Sequence, residues 1–307
     1  LTIVSGWRIA VHSARILLDE RPGWLRPGWR RKGKALIVSK PVFNLMLAAT
    51  AIMLLAGNIE SAHAGPPLVT DDTGIVPLGE WQFIVSAQGE SRPANDSGSL
   101  PAVEVTYGFF EDMNLTAVVP RQYNKERGEP SKTDFGNAQL NYKWLFYDSD
   151  LESSEGLTLA ISPIYSFPLT RTSRIRGLAE DVRVLSMPVI GSWLTGPWEF
   201  VAQASYDLAS GDGSVDGVGY GIFAVYNATD SLQLMAEIYG AELSGDGFVD
   251  AGLNYDEGFA NWRLGALWEM GAGYSLLAAY GGPIDSDLPS DQKLDYDFFL
   301  GLQYDTE

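Results

Sequence analysis

From residue 79 to residue 304 the chain keeps a two-residue rhythm of apolar and polar side chains, interrupted at intervals by polar gaps. Residues 137–146 show it most clearly: Ala138, Leu140, Tyr142, Trp144 and Phe146 interleave with Asn137, Gln139, Asn141 and Lys143. Successive side chains of a β-strand point to opposite faces, so such a segment presents one apolar and one polar face. Twelve segments can be drawn, over 80–89, 102–109, 114–121, 137–146, 157–166, 182–194, 198–208, 219–226, 231–240, 261–270, 274–281 and 295–304. Most approach the roughly 9–11 residues that a tilted strand needs to cross a bilayer.

The gaps between segments alternate in length. One set has 12, 15, 15, 10, 20 and 13 residues, the other 4, 10, 3, 4 and 3. Short gaps carry turn residues: Glu111-Asp112, Thr195-Gly196-Pro197, Asn227-Ala228-Thr229-Asp230 and Gly271-Ala272-Gly273. An even-stranded membrane barrel with both termini on one side has this order of long loops and tight turns. The expected fold is therefore all-β: a transmembrane antiparallel up-and-down β-barrel of about 12 strands, occupying 79–307. Counts of ten or fourteen fit the same pattern, because 147–156 is long for a turn and 247–256 suits either a loop or a strand.

The apolar series names the lipid face: Trp81, Phe83, Val85 and Ala87; Trp198, Phe200, Ala202, Ala204 and Tyr206; Phe298, Leu300, Leu302 and Tyr304. Aromatics gather toward segment ends and aliphatics toward the middles, as interfacial girdles require. A soluble β-sandwich or lipocalin-like barrel would share the alternation with its apolar face inward. The end-weighted aromatics and an export signal favour the membrane form. That signal is expected at 40–64: Lys40 follows a basic run, an apolar stretch of 45–56 comes next, and Ala62-His63-Ala64 supplies a cleavage site before Gly65. The apolar stretch is shorter than the roughly 20 residues of a spanning helix. Residues 1–39 read as an upstream leader or an over-called start.

Residues 1–64 hold nine of the 21 Lys and Arg but three of the 39 Asp and Glu. Residues 65–307 are therefore strongly acidic, with 12 basic and 36 acidic side chains. That balance opposes binding to nucleic acid, whose phosphates demand Lys and Arg. Cysteine is absent, and both histidines, His12 and His63, precede the expected cleavage site. A Ser-His or Cys-His catalyst is thereby excluded from the barrel, and no metal-ligand spacing or cofactor fingerprint is present. Two Ser-Gly-Asp-Gly-x-Val-Asp stretches, at 210–216 and 244–250, offer two Asp each and read as flexible turns rather than cation loops. No enzymatic activity and no cofactor are expected.

The polar series would line the lumen, with Glu80, Glu104, Asn141, Lys143, Glu199, Glu237, Arg263 and Glu269 as its chief candidates. Charges there either pair across a narrow interior and stiffen it or set the polarity of a permeation path. Residues 65–78 precede the first strand; their prolines and acids suit neither a helix nor a central strand, so they form a periplasmic tail or an extended plug.

The residues from Gly65 onward resemble a known family: Gly65-Pro66-Pro67 with Thr70-Asp71-Asp72, then Gly79-Glu80-Trp81, then the run 101–108 and its partner from Leu115 to Pro120. This is similar to the outer-membrane barrels named for the meta-pathway of phenol degradation, over roughly residues 65–146. The resemblance implies a bacterial outer-membrane transporter for small hydrophobic or aromatic compounds, with outer-membrane lipid and the barrel assembly machinery as partners. Two features depart from the family pattern: Gly136-Asn137 stands where Gly-Asp is common, and Asp305-Thr306-Glu307 follows the final aromatic, Tyr304. The alternative expectation is a structural or adhesive barrel with a plugged lumen and acidic binding loops.

Overall fold

A computed structural model describes residues 67–149, 155–179, 182–211, 216–245 and 255–306. Fourteen strands run in chain order: β1 Trp81–Ser91, β2 Asn95–Phe110, β3 Met113–Glu126, β4 Lys132–Phe135, β5 Asn137–Asp148, β6 Glu155–Ile161 and β7 Ile164–Pro168. After the short helix α1, Arg171–Ile175, come β8 Arg183–Thr195, β9 Trp198–Ser210, β10 Asp216–Thr229, β11 Leu232–Gly245, β12 Tyr255–Gly271, β13 Tyr274–Ser286 and β14 Tyr296–Asp305. Neighbouring strands pair antiparallel, β14 returns to β1, and β3 pairs with β5, so the sheet closes on itself. Closure leaves no unpaired edge, which is the condition for a sheet to stand in lipid.

Two staves are each built from two strands, giving a closed barrel of twelve staves. One break falls between β4 and β5 at Gly136, whose N–H still bonds Pro120 O at 2.9 Å. A Cβ there would stand 2.3 Å from Gln122 Cγ, so glycine is required by the close approach. The other break, between β6 and β7, falls at Ser162-Pro163. Proline has no N–H to give the ladder, but its carbonyl accepts from Tyr142 N at 3.0 Å and Ser162 N donates to Pro188 O at 3.1 Å. The alternation over 157–166 runs through that break, and Pro163 is its one local signal.

The long gaps are largely strand. Only residues 92–94 separate β1 from β2, and 127–131 separate β3 from β4. Alternation stops where the barrel leaves the apolar layer, because both faces then meet polar surroundings, while backbone pairing continues. Gln88↔Ser99, Gly89↔Gly98 and Glu90↔Ser97 are one such continuation. The 247–256 stretch divides likewise: β12 begins at Tyr255, while 246–254 lie outside the described residues. At the opposite end β5 reaches Asp148 and β6 starts at Glu155, which narrows the long turn.

Side chains on the outer face are exposed and apolar: Val85 51%, Val189 54% and Leu264 57%. Three cross-strand aromatic pairs mark the turn end, Trp81–Tyr107 at 4.4 Å, Trp198–Tyr226 at 4.5 Å and Tyr274–Tyr304 at 4.8 Å between ring centroids. They stand where an aromatic girdle meets the membrane surface. Residues beyond Tyr304 also pair: Trp81 N donates to Thr306 Oγ1 and Thr306 N to Trp81 O.

Candidate functional site in the barrel interior

The interior holds an extended piece of the chain itself. Residues 67–73 are buried, and side chains from five strands bind their polar groups. The segment rises from the turn end, where Leu78 bridges Gly108 in parallel and Gly79 N donates to Gly108 O at 2.7 Å. A Cβ on Gly108 would lie 2.1 Å from Pro77 O, so only glycine admits the chain there.

Further in, Thr73 and Thr158 hydroxyls meet at 2.6 Å. Lys143 on β5 sends its ammonium to Asp71 Oδ1 at 2.8 Å, Asp72 Oδ1 at 3.3 Å and the Gly74 carbonyl at 3.3 Å. Both ends of this ion cluster are buried, with Lys143 and Asp71 side chains each 9% exposed. Ser162, at the break between β6 and β7, has its hydroxyl 3.0 Å from Asp71 Oδ2 and 2.9 Å from Asn141 Oδ1. Gln203 Oε1 on β9 accepts from Asp71 N at 2.9 Å.

Glu237 on β11 grips the next two residues. Its carboxylate accepts from Val69 N at 3.0 Å and from Thr70 N. A carboxylate receiving successive backbone N–H groups is a charge-assisted clasp, stronger than its neutral counterpart. Arg263 on β12 closes the row, giving Nη1 to Pro67 O at 3.1 Å and Nε to Asp297 Oδ1 at 3.1 Å. Tyr239 holds the same carboxylate at 2.6 Å, and its ring lies 5.6 Å from the Arg263 guanidinium. Each charge brought out of water here has partners, which buried charges require.

Two strand glycines make room for the segment. A Cβ on Gly221 would lie 1.8 Å from Thr70 Oγ1, and one on Gly265 would lie 3.1 Å from Pro67 Cγ. Glycine inside a strand signals close backbone approach. Beside the polar row lies an apolar cluster of inward side chains, among them Ile84, Ile190, Val201, Phe223, Met235, Leu267, Leu277 and Phe299, joined by Leu68 of the segment. The wholly polar lumen series read from the sequence omits this cluster. Its residues sit in the same alternating register as the polar ones, and nothing in the pattern separates the two.

Of the lumen candidates, Asn141, Lys143, Glu237 and Arg263 meet the segment or its direct partners, while buried Glu199 accepts from Ser192 Oγ at 2.5 Å. Glu104 is half-buried on the inward face of β2, between Ala102 and Thr106. Glu80 is half-buried before β1, and Glu269 is exposed near the β12 turn, so the buried set does not reach these two. Pro67, Thr70, Asp71 and Asp72 are all in the buried segment; Gly65, Pro66 and the expected signal peptide lie outside the described residues. Sequence reasoning missed Ser162, Tyr239, Gly221 and Gly265. Pro163 and the two strand glycines were the available signals for three of them.

At the loop end the mouth is narrowed by the segment between β13 and β14. Leu288, Gln292 and Leu294 are buried, the Arg92 guanidinium bonds Gln292 O and Glu90, and Ala94 N donates to Asp291 O at 3.3 Å. A cavity of about 20 Å³ remains between this cover and Val69, Arg263 and Tyr239, close to the volume that admits one water.

A twelve-stave closed barrel with a lipid-facing exterior belongs, as a fold, to the outer-membrane β-barrel class. It is similar to the COG4313 outer membrane channel from Pseudomonas putida F1, with a TM-score of 0.60, 14% sequence identity, and coverage of 80% of this chain and 100% of that one. The NanC porin matches at a TM-score of 0.49 and 11% identity, covering 72% of this chain and 98% of its own. No family model and no curated protein matches the sequence. At such identities the likeness concerns the fold.

Proposed function

We propose that this protein is a bacterial outer-membrane channel that passes small hydrophobic or aromatic molecules by passive diffusion, with its turn end in the periplasm. The observation that carries the reading is the non-covalent plug: residues 67–73 are buried in the interior and held chiefly by hydrogen bonds and ion pairs. A barrel needed only as a scaffold has no use for a chain segment that strand side chains hold one residue at a time. The apolar cluster beside the plug, with Phe223, Met235 and Phe299, supports an apolar cargo over a polar one, and the family resemblance at Gly65–Asp72 points the same way. Passage requires the segment to yield, since residues 67–73 lie buried across the interior among side chains of β5, β9, β11 and β12.

Purified protein in liposomes is expected to admit small aromatics faster than protein-free vesicles; equal rates would overturn the reading. If the buried contacts of the segment never open, they favour a second reading, a plugged structural or adhesive barrel. That barrel would seal in conductance measurements, and its loss-of-function variants would map to loops alone.

A further inference from the structure

The basic residues of this acidic chain are not spread around the barrel. Of the 12 Lys and Arg after residue 64, nine fall from Arg121 to Arg183, all but the interior Lys143 at the loop end, and none stands between Arg183 and Arg263. Arg121 and Lys125 lie on β3, Arg127 follows it, Lys132 lies on β4, Arg171 and Arg174 lie on α1 with Arg176 just beyond, and Arg183 opens β8. The fold makes these one sector. β3 pairs with β4 at Arg121↔Phe135, β5 with β7 at Ala138↔Phe167, and β7 with β8 at Ser166↔Val184. Three strand spacings separate Arg121 from Arg183, about 15 Å. Arg176 fastens α1 to β4 through Thr133 O at 3.0 Å and Asp134 at 3.4 Å.

Among the described residues, the acidic groups in the sector are mostly engaged. Lys132 takes Glu129 at 3.2 Å and Glu126 at 3.6 Å, and Asp96 stands across the β2–β3 ladder from Lys125. Among the described residues, the exposed Arg121, Arg127, Arg171 and Arg183 form no ion pair. The far side of the mouth is the reverse, with Glu242, Asp285, Asp287 and Asp295 exposed and Lys293 the one cation among them.

Each free guanidinium of the wall caps a lipid-facing column. Arg121 shares its face with Val119 and Leu115, and Arg183 shares its face with Leu185, Met187 and Val189. Between them Phe135 and Tyr165 are exposed, and Ile175 of α1 is 76% exposed beside three arginines. Basic heads over apolar columns match an anionic amphiphile lying along the wall. Guanidinium forks match phosphate oxygens in pairs.

We propose that this sector docks a phosphate-bearing glycolipid of the outer leaflet, its phosphates held by Arg121, Arg171 and Arg183, its acyl chains lying on Val119, Phe135, Tyr165 and Met187. This rests on the reading that the loop end faces outward. Free phosphate would find the guanidinium groups but gain nothing from the apolar columns below them.

The test uses the full barrel in detergent, with bis-phosphorylated lipid A as the probe and bound lipid counted by native mass spectrometry. The double variant Arg121→Gln/Arg183→Gln is expected to bind at least about ten-fold more weakly than the parent. Lys293→Gln, on the acidic side, should bind like the parent, and inorganic phosphate should not displace the lipid. Lipid A stripped of phosphate should bind the parent as weakly as intact lipid A binds the double variant. Equal binding by parent and double variant, or undiminished binding of the stripped lipid, overturns the proposal. Heat-modifiable gel mobility shows that each variant is folded. Orientation is read separately: Ser131→Cys, the sole cysteine, should react with an impermeant maleimide on intact cells. No reaction sinks the outward reading itself, whereas labelling without lipid discrimination sinks only the docking surface.

Discussion

Two regions of the interior use opposite physics. Around residues 67–74 the wall supplies directional groups: Lys143 to two carboxylates and a carbonyl, Glu237 to two N–H groups, Arg263 to a carbonyl. Around Phe223, Leu267, Leu277 and Ile190 the wall packs mainly against itself, with Leu68 the segment's one member of the cluster. Apolar packing is non-directional and is lost only when surface is exposed. A polar grip is a set of separate contacts, each of which can be removed alone. The first region is thus suited to holding something that moves, the second to keeping the barrel rigid while it does.

Breaking the polar region most severely should release the plug without weakening the wall. Lys143→Met leaves Asp71 and Asp72 buried without a cation, a change that costs about 3–5 kcal/mol. Bilayer conductance and protease access to the segment should both rise. The mirror experiment is Phe223→Ala, 5% exposed in the apolar cluster. It should lower barrel stability in urea titrations by about 3–5 kcal/mol while leaving the segment protected. If both variants lowered stability alike and neither changed conductance, the two regions would not be distinct.

Smaller changes grade the comparison. Glu237→Gln keeps an acceptor but loses the charge that draws Val69 and Thr70 N–H groups, weakening the clasp by about 1.5–3 kcal/mol. Its conductance should lie between that of the parent and Lys143→Met. Ser162→Ala removes one hydroxyl partner of Asp71, worth about 1 kcal/mol; faster hydrogen exchange at residues 69–72 would reveal it while steady conductance stays near the parent's.

Much of the wall was legible because lipid enforces alternation: Trp81, Phe83 and Val85 face outward as their spacing requires. Where the strands leave the apolar layer that constraint ends, so Ser97 to Ser99 read as loop although they pair with β1. The lumen candidates at the centre of the strands could be named by parity, and Lys143, Glu237 and Arg263 do meet the plug. Which residue of 67–76 each would meet was not legible, since that depends on how far the segment climbs and at what angle. Gly221 and Gly265 held part of the answer, but a glycine in a strand says that something approaches, not what. The division of one alternating face into polar and apolar regions likewise appears only once neighbouring strands are in register.

The central claim is that movement of this segment governs passage, and the absence of native cysteine makes it directly testable. Thr70→Cys with Gly221→Cys places two thiols where a Cβ on Gly221 would lie 3.0 Å from Thr70 Cβ, about half an ångström inside the separation a disulfide spans, so the segment draws back slightly to form the bond. Flux of a small aromatic into liposomes should stop when this pair is oxidised and return on reduction. Flux that is equal in both states would contradict the account.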